Sequence, residues 1–228
     1  MNNIAEQLNL AYHNLQEKCD ALSIAKDSVG LIAVSKTKPV QAIIDAYQAG
    51  QRHFGENYPQ ELHDKAQQLH EQTDICWHFI GPLQSNKTRL VAENASYVHS
   101  IDRVKIAERL SAQRPSHLAP LKVLLQINIS AENTKSGVAP DEMLSLAQAI
   151  SQLPALTLTG LMAIPAPGDS ERAFAKMQQL SATLQQIYPQ ATELSMGMSD
   201  DWPLALRYGA TMIRLGTAIF GAREYKQE

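Results

Sequence analysis

The chain has 228 residues, of which 44% are hydrophobic and 19% are charged, and its formal net charge is -3 at pH 7. This composition is typical of a globular protein and excludes a disordered chain. The charge gives no electrostatic reason to expect nucleic acid or an anionic membrane as a partner, and no apolar run reaches the roughly 20 residues of a membrane helix.

The chain contains two cysteines, Cys19 and Cys76. Two thiols can form neither a disulfide framework nor a four-thiolate metal site, so we expect no metal and two reduced thiols. The first 19 residues lack a basic start followed by an apolar core, so no secretory signal is predicted. These features predict a cytoplasmic protein.

The first segment, 4–22, has the apolar spacing of an amphipathic helix and precedes the first strand. After it, short apolar runs alternate with amphipathic segments along the chain. The apolar runs predict strands at 29–35, 52–55, 77–81, 97–100, 122–129, 156–164, 193–197 and 212–216. The intervening segments predict helices at 40–49, 56–69, 84–93, 103–113, 140–153, 170–188, 202–207 and 217–223.

Alternating strands and helices predict right-handed βαβ units around a parallel sheet. Eight such units favour an α/β fold in which the sheet closes into one (β/α)8 TIM barrel. The alternative is an open doubly wound sheet, although the first strand lacks the Gly-x-Gly-x-x-Gly of its dinucleotide-binding form. No linker divides the chain, so we expect a single domain over 1–228, with an extra N-terminal helix, 1–25, packed on the barrel.

Functional sites in such barrels lie at the C-terminal ends of the strands. Lys36 directly follows the first strand, where partial burial favours a neutral amine that forms a Schiff base with an aldehyde. The alternative is a solvated surface lysine. Lys38, two positions further on, either disfavours the charged form of Lys36 by like-charge repulsion or is simply solvated.

The loops after the seventh and eighth strands have the residue types of a phosphate site. Such sites use bare backbone N–H groups, which Gly216 favours, and hydroxyl groups, which Ser199 and Thr217 supply. The alternatives are that Ser199 is the N-cap of the helix starting near Trp202, and that Gly216 and Thr217 form a plain strand-to-helix turn.

Arg214 lies inside the last apolar strand. A buried guanidinium needs a partner because its charge cannot be discharged. That partner is either an internal carboxylate, such as that of Glu56, or a ligand. A lysine for a Schiff base, a phosphate cradle and a buried arginine together fit pyridoxal 5′-phosphate (PLP).

Six segments, in order from near the N-terminus to the last strand, resemble the pyridoxal phosphate homeostasis protein family, also called the proline-synthetase co-transcribed family. They are 33–39, 53–57, 77–87, 160–162, 195–201 and 214–221. The resemblance covers essentially the whole chain. It implies a fold like the N-terminal barrel of alanine racemase, the type III fold of PLP enzymes.

The resemblance also implies roles for individual residues. Lys36 is expected to hold PLP as a covalent aldimine, and Arg214 to face the pyridine nitrogen. Lys135 matches a mobile-loop lysine that makes a secondary cofactor contact in the family. The phosphate is assigned to Ser199, Gly216 and Thr217, and the remaining pocket lining to Asn57, His78 and Met196.

Two functions are then expected as alternatives. The first is a non-catalytic PLP carrier, which we expect to be a monomer that acts in PLP homeostasis and passes the cofactor to PLP-dependent apoenzymes. The alternative is an amino-acid racemase of the alanine racemase type. Arg214 does not separate the two, because racemases of this fold also tolerate the weak electron sink that an arginine leaves at the pyridine nitrogen. Racemases take their second base from a separate β-domain of a partner subunit, for which the segment after Thr217 is too short. We therefore expect a carrier.

Overall fold

Eight parallel strands form a closed barrel in the computed structural model, which describes residues 3–25, 27–130 and 136–222. Each strand pairs with the next one along the chain, and β1 also pairs with β8, which closes the barrel. The strands are β1 Gly30–Val34, β2 His53–Glu56, β3 Cys76–Phe79, β4 Tyr97–Ile101, β5 Leu121–Gln126, β6 Leu156–Met162, β7 Glu193–Ser195 and β8 Met212–Leu215. The predicted (β/α)8 barrel is confirmed and the open doubly wound sheet is wrong.

Helices connect successive strands around the outside of the barrel. They are α1 Ile4–Ala21, α2 Val40–Gln48, α3 Pro59–Gln68, α4 Thr88–Asn94, α5 Val104–Gln113, α6 Met143–Ser151, α7 Ser170–Ile187, α8 Trp202–Arg207 and α9 Thr217–Phe220. Short 3-10 turns, Ser85–Lys87 and Pro140–Glu142, precede α4 and α6. The extra helix α1 packs against α2, α8 and α9.

The start of α3 differs from the predicted helix 56–69. Glu56 is the last residue of β2, and α3 begins only at Pro59. Proline suits the first helical position because its missing N–H would have no acceptor there. The apolar pattern alone did not separate the end of the strand from the start of the helix, and this error placed Glu56 on the wrong element.

The side chains of the strands divide between two regions. The larger apolar core lies between the barrel and its helices, while a smaller apolar group fills part of the barrel interior. The interior group consists of Ile32, Tyr97, Leu124, Met162 and Met212. Polar side chains share the interior with them. The buried polar side chains form a chain of hydrogen bonds that runs from His78 to His99, then to Ser195 and then to Arg214. No helix in the described ranges is long and apolar enough to cross a membrane.

Candidate functional site

A pocket of about 170 Å³ opens at the C-terminal ends of the strands and includes residues of β1 and β8. A neighbouring pocket of about 300 Å³ shares Asn57, Ile80 and Ile164 with it, so the two form one cleft across the mouth of the barrel. The smaller pocket is lined by Val34, Lys36, Asn57, Ile80, Ile164, Met198, Ser199, Arg214, Gly216 and Thr217.

Six of the eight residues that the sequence assigns to the site therefore line one pocket. The other two, His78 and Met196, do not line it. His78 lies inside the barrel and lines a different pocket, at the N-terminal ends of the strands. Met196 is fully buried in the core between the barrel and its helices. Lys135 falls outside the described residues.

Lys36 stands at the rim of the pocket. Side chains of a strand alternate between its two faces, and Val34, two residues earlier, also lines the pocket. The side chain of Lys36 is half-buried, so it is not the fully solvated surface lysine of the alternative interpretation. Lys38 does not line the pocket, and its Nζ donates a hydrogen bond to the carbonyl oxygen of Ala222 at 2.8 Å.

Arg214 forms the base of the pocket and is only 3% exposed. One terminal nitrogen donates to Ser195 Oγ at 2.6 Å, and the other donates to the carbonyl oxygen of Ala163 at 3.1 Å. Burial lowers the pKa of Arg214 to about 10, while the charge of Asp201 acts in the opposite direction. The guanidinium is therefore still charged at neutral pH.

The internal salt bridge suggested between Arg214 and Glu56 is wrong. Glu56 Oε1 instead accepts hydrogen bonds from Lys65 Nζ at 2.7 Å and from Ser35 Oγ at 2.6 Å. Lys65 belongs to α3, so the carboxylate of Glu56 points out of the barrel toward the helices. The hydrogen-bond acceptors of Arg214 are thus uncharged, and its positive charge remains available to a ligand in the pocket.

The loops after β7 and β8 carry the hydroxyl groups of the site. Ser199 and Thr217 are exposed at the mouth. The alternative interpretation of Ser199 as the N-cap of α8 is wrong, because Asp201 occupies that position. The carboxylate of Asp201 accepts a hydrogen bond from the Met198 N–H at 2.8 Å. α9 begins at Thr217 directly after Gly216, and the first N–H groups of a helix have no acceptor within it. Hydroxyl and N–H donors together suit a phosphate.

The charge and the unpartnered atoms of the pocket indicate what it accommodates. Lys36 and Arg214 are the ionisable side chains among its described lining residues, and both are basic. Asn57 Oδ1 is buried and has no hydrogen-bond partner in the described part of the chain. The pocket therefore suits an anionic ligand that also carries a donor, and PLP, with its phosphate, pyridine nitrogen, phenol and aldehyde, fits these groups.

Two interior residues of this region were not assigned from the sequence. Ser195 holds Arg214 in place, and His99 contacts Ser195 from the other side. The available signal was the alternation of side chains along the strands. Alternation places Ser195 and Arg214 on the inner faces of β7 and β8, where Arg214 donates to Ser195.

Comparison with known proteins agrees with the barrel and its pocket. The family model for the alanine racemase N-terminal domain matches residues 9–224. The pyridoxal phosphate homeostasis protein of Haemophilus influenzae is 55% identical over 230 residues, which cover 98% of this chain and 97% of that protein. The chain belongs to the pyridoxal phosphate homeostasis protein family.

Solved structures give the same relationship. PipY of Synechococcus elongatus PCC7942, whose structure has PLP bound, is 40% identical and superimposes with a TM-score of 0.82, covering 96% of this chain and 100% of PipY. Alanine racemase of Corynebacterium glutamicum has a TM-score of 0.72 at 16% identity, covering 99% of this chain and 62% of the racemase. The racemase therefore shares the fold, while members of the homeostasis protein family also share the sequence.

Proposed function

We propose that this chain binds PLP reversibly and acts as a PLP carrier in intracellular PLP homeostasis, with Lys36 as the covalent attachment point. The observation that carries the proposal is the convergence of Lys36, Arg214 and the donors of Ser199, Gly216 and Thr217 on one pocket. The ionisable side chains among its described lining residues are basic. The homeostasis protein family and PLP-bound PipY support the same ligand.

Each group has a distinct task in this proposal. The hydroxyls of Ser199 and Thr217 and the backbone at Gly216 hold the phosphate. Lys36 in its neutral form would supply the amine that condenses with the aldehyde and releases water. Arg214 would donate to the pyridine nitrogen, and because it keeps its own proton at neutral pH it would leave that nitrogen unprotonated. PLP supplies an electron sink when bound, and an unprotonated ring nitrogen makes that sink weak.

The pocket supports a carrier better than a racemase. Racemisation by two bases needs a second proton-transferring group on the face of the cofactor opposite the lysine. Among the described residues that line the pocket there is no Asp, Glu, His, Cys or Tyr. Ser199 and Thr217 are exposed to solvent, so the mouth also lacks the water exclusion that strengthens electrostatic catalysis.

The proposal also covers the cellular location of the carrier, its oligomeric state and the proteins that receive PLP from it. We propose a cytoplasmic monomer that hands PLP to PLP-dependent apoenzymes. The exposure of Ser199 and Thr217 at the mouth supports this role, because a recipient can approach the pocket from this side. Size-exclusion chromatography with light scattering tests the monomer, and activation of a PLP-dependent apoenzyme by the loaded protein tests the transfer.

Borohydride reduction of the PLP-loaded protein, followed by peptide mapping, tests the attachment point. We expect the reduced pyridoxyl label on Lys36, and label exclusively on another lysine would overturn the assignment. Incubation with L-alanine, followed by measurement of optical rotation, tests the carrier role. Sustained racemisation that Lys36→Ala abolishes would establish the racemase instead.

A further inference from the structure

Three side chains with metal-binding atoms converge at the opposite end of the barrel from the cofactor pocket. His53 and Cys76 begin β2 and β3 and lie directly opposite each other in the strand pairing, and His78 lies two residues further along β3. Their ligand atoms all lie within 4.8 Å of one another. The PLP site uses none of these residues.

The spacing of these atoms is close to that of a tetrahedral zinc site. His53 Nδ1 lies 2.9 Å from His78 Nε2, and Cys76 Sγ lies 3.4 Å from the same nitrogen. Bond lengths of about 2.05 Å to nitrogen and about 2.3 Å to sulfur require about 3.3 Å between two nitrogens and about 3.6 Å between nitrogen and sulfur. For these two pairs a shift of a few tenths of an ångström reaches the zinc spacing, and His53 Nδ1 and Cys76 Sγ lie within 4.8 Å of each other.

The neighbours of His78 already orient its ring for a metal. Its Nδ1 lies 2.9 Å from His99 Nε2, and His99 Nδ1 lies 2.8 Å from Ser195 Oγ. If His78 and His99 each donate a hydrogen bond from Nδ1, the lone pair of His78 Nε2 faces His53 and Cys76. Metal-binding histidines are commonly fixed in this way by a partner on their other nitrogen.

The fourth coordination position opens onto a pocket of about 320 Å³ at the barrel floor. Glu193 lines this pocket, and its Oε2 is buried without a hydrogen-bond partner in the described ranges. His53 and His78 line the same pocket, which leaves this oxygen as an acceptor for a water bound there. The nearby ammonium group of Lys122 opposes a cation, but the Lys122 side chain is exposed and its charge is screened by solvent.

We propose that His53, Cys76 and His78 form a binding site for a zinc-class divalent metal, with a water in the fourth position. Two histidine nitrogens and a thiolate are ligands that favour zinc over magnesium or calcium, and the thiol releases its proton on binding. The proposal is independent of PLP binding, so failure of either one leaves the other intact.

Titration of the purified full-length protein with Zn²⁺ and with Co²⁺ tests the site. We expect one Zn²⁺ per chain by calorimetry. The cobalt form should show the visible bands of tetrahedral Co²⁺ together with a thiolate-to-cobalt charge-transfer band, which PLP cannot produce. Cys76→Ser should abolish the charge-transfer band. Loss of an outer-shell partner lowers metal affinity about 10- to 100-fold, and His53→Gln, which removes a direct ligand, should lower Zn²⁺ affinity by more than that.

Two controls leave the cluster intact. Cys19→Ser removes the other thiol of the chain, and His13→Gln removes an exposed histidine on α1. Both should bind Zn²⁺ as the unaltered protein does. His53 is exposed at the barrel end, so His53→Gln retains the fold, which circular dichroism verifies. Absence of stoichiometric Zn²⁺ binding, or binding that persists unchanged in both Cys76→Ser and His53→Gln, would overturn the proposal.

Discussion

Arg214 and His99 meet on a single hydroxyl group, that of Ser195. Arg214 donates to Ser195 Oγ at 2.6 Å, and Nδ1 of His99 lies 2.8 Å from the same oxygen. All three side chains are buried inside the barrel. The contact joins the base of the cofactor pocket to the histidines that continue toward the barrel floor, so the position of Arg214 depends on residues beneath the pocket.

Replacing this hydroxyl should therefore affect both stability and PLP binding. In Ser195→Ala, a buried guanidinium N–H loses its acceptor, which costs about 1–3 kcal/mol of unfolding free energy. Arg214 also loses one of the two contacts that fix its orientation, so we expect weaker PLP binding. Urea unfolding and titration with PLP measure the two effects.

Ser100→Ala is the matched control for this variant. Ser100 is also buried, in strand β4, but its Oγ has no hydrogen-bond partner among the described residues. Removing an unsatisfied hydroxyl should leave stability unchanged or raise it. Equal losses of stability in Ser100→Ala and Ser195→Ala would show that the hydrogen bonds of Ser195 contribute nothing specific.

The buried pair of Glu56 and Lys65 predicts a pH-dependent stability. Burial raises the pKa of Glu56, and the nearby charge of Lys65 only partly offsets this. The pKa of Glu56 is therefore higher in the folded state than in the unfolded state. Its contribution to stability is largest at pH values below the unfolded pKa, and it is lost as the pH rises through the folded pKa. Lys65→Met removes the offset, raises the pKa of Glu56 further and so enlarges this loss.

We expect Lys65→Met to destabilise the protein by about 3–5 kcal/mol at pH 8, where the carboxylate is left buried without its cation. The penalty should be smaller at pH 5, where Glu56 can be protonated. The double variant Glu56→Gln/Lys65→Met has no buried charge at this point and should recover most of the loss. Urea unfolding at both pH values measures this, and a penalty of Lys65→Met that does not change with pH would contradict the assignment.

The barrel itself was predictable from the sequence because its signals are local. Buried parallel strands are continuous apolar runs, and these runs alternate with amphipathic helices along the chain. The boundary between β2 and α3 was not predictable in this way. Glu56 is a charged residue at the end of a strand, and its burial depends on Lys65, nine residues away on the next helix.

The site was predictable where it lies at strand ends, and less so inside the barrel. Lys36, Arg214, Gly216 and Thr217 line one pocket, as their positions along the strands indicated. His78 was assigned to the pocket lining by resemblance, but its position on β3 places it below the level of the pocket, against His53 and His99. Depth along the barrel depends on strand register, which the sequence pattern does not specify.

Gly81 is required by close packing next to the site. A Cβ atom at this position would lie 2.1 Å from the backbone oxygen of Asn57, so Gly81→Ala has to displace that backbone. Asn57 lines both pockets of the cleft, and we expect weaker PLP binding together with lower stability. Gly30→Ala is the control, because its Cβ would lie at an ordinary 3.8 Å from the carbonyl oxygen of Thr211. Equal PLP affinity in the two variants would contradict this account.

The phosphate assignment gives a prediction that depends on the ligand as well as on the protein. Ser199→Ala removes one neutral donor to a charged phosphate, and such a hydrogen bond contributes about 1.5–3 kcal/mol. We therefore expect PLP affinity to fall about 10- to 150-fold. Ser151→Ala, which alters an exposed serine at the end of α6, should have no effect.

Pyridoxal, which has the aldehyde and the ring but no phosphate, separates this role from a general disturbance of the pocket. Ser199→Ala should bind pyridoxal as well as the unaltered protein does, because the lost donor has no phosphate to contact. Lys36→Ala should weaken the binding of both compounds, since both carry the aldehyde. If Ser199→Ala weakens pyridoxal and PLP to the same extent, Ser199 shapes the mouth of the pocket and does not bind the phosphate.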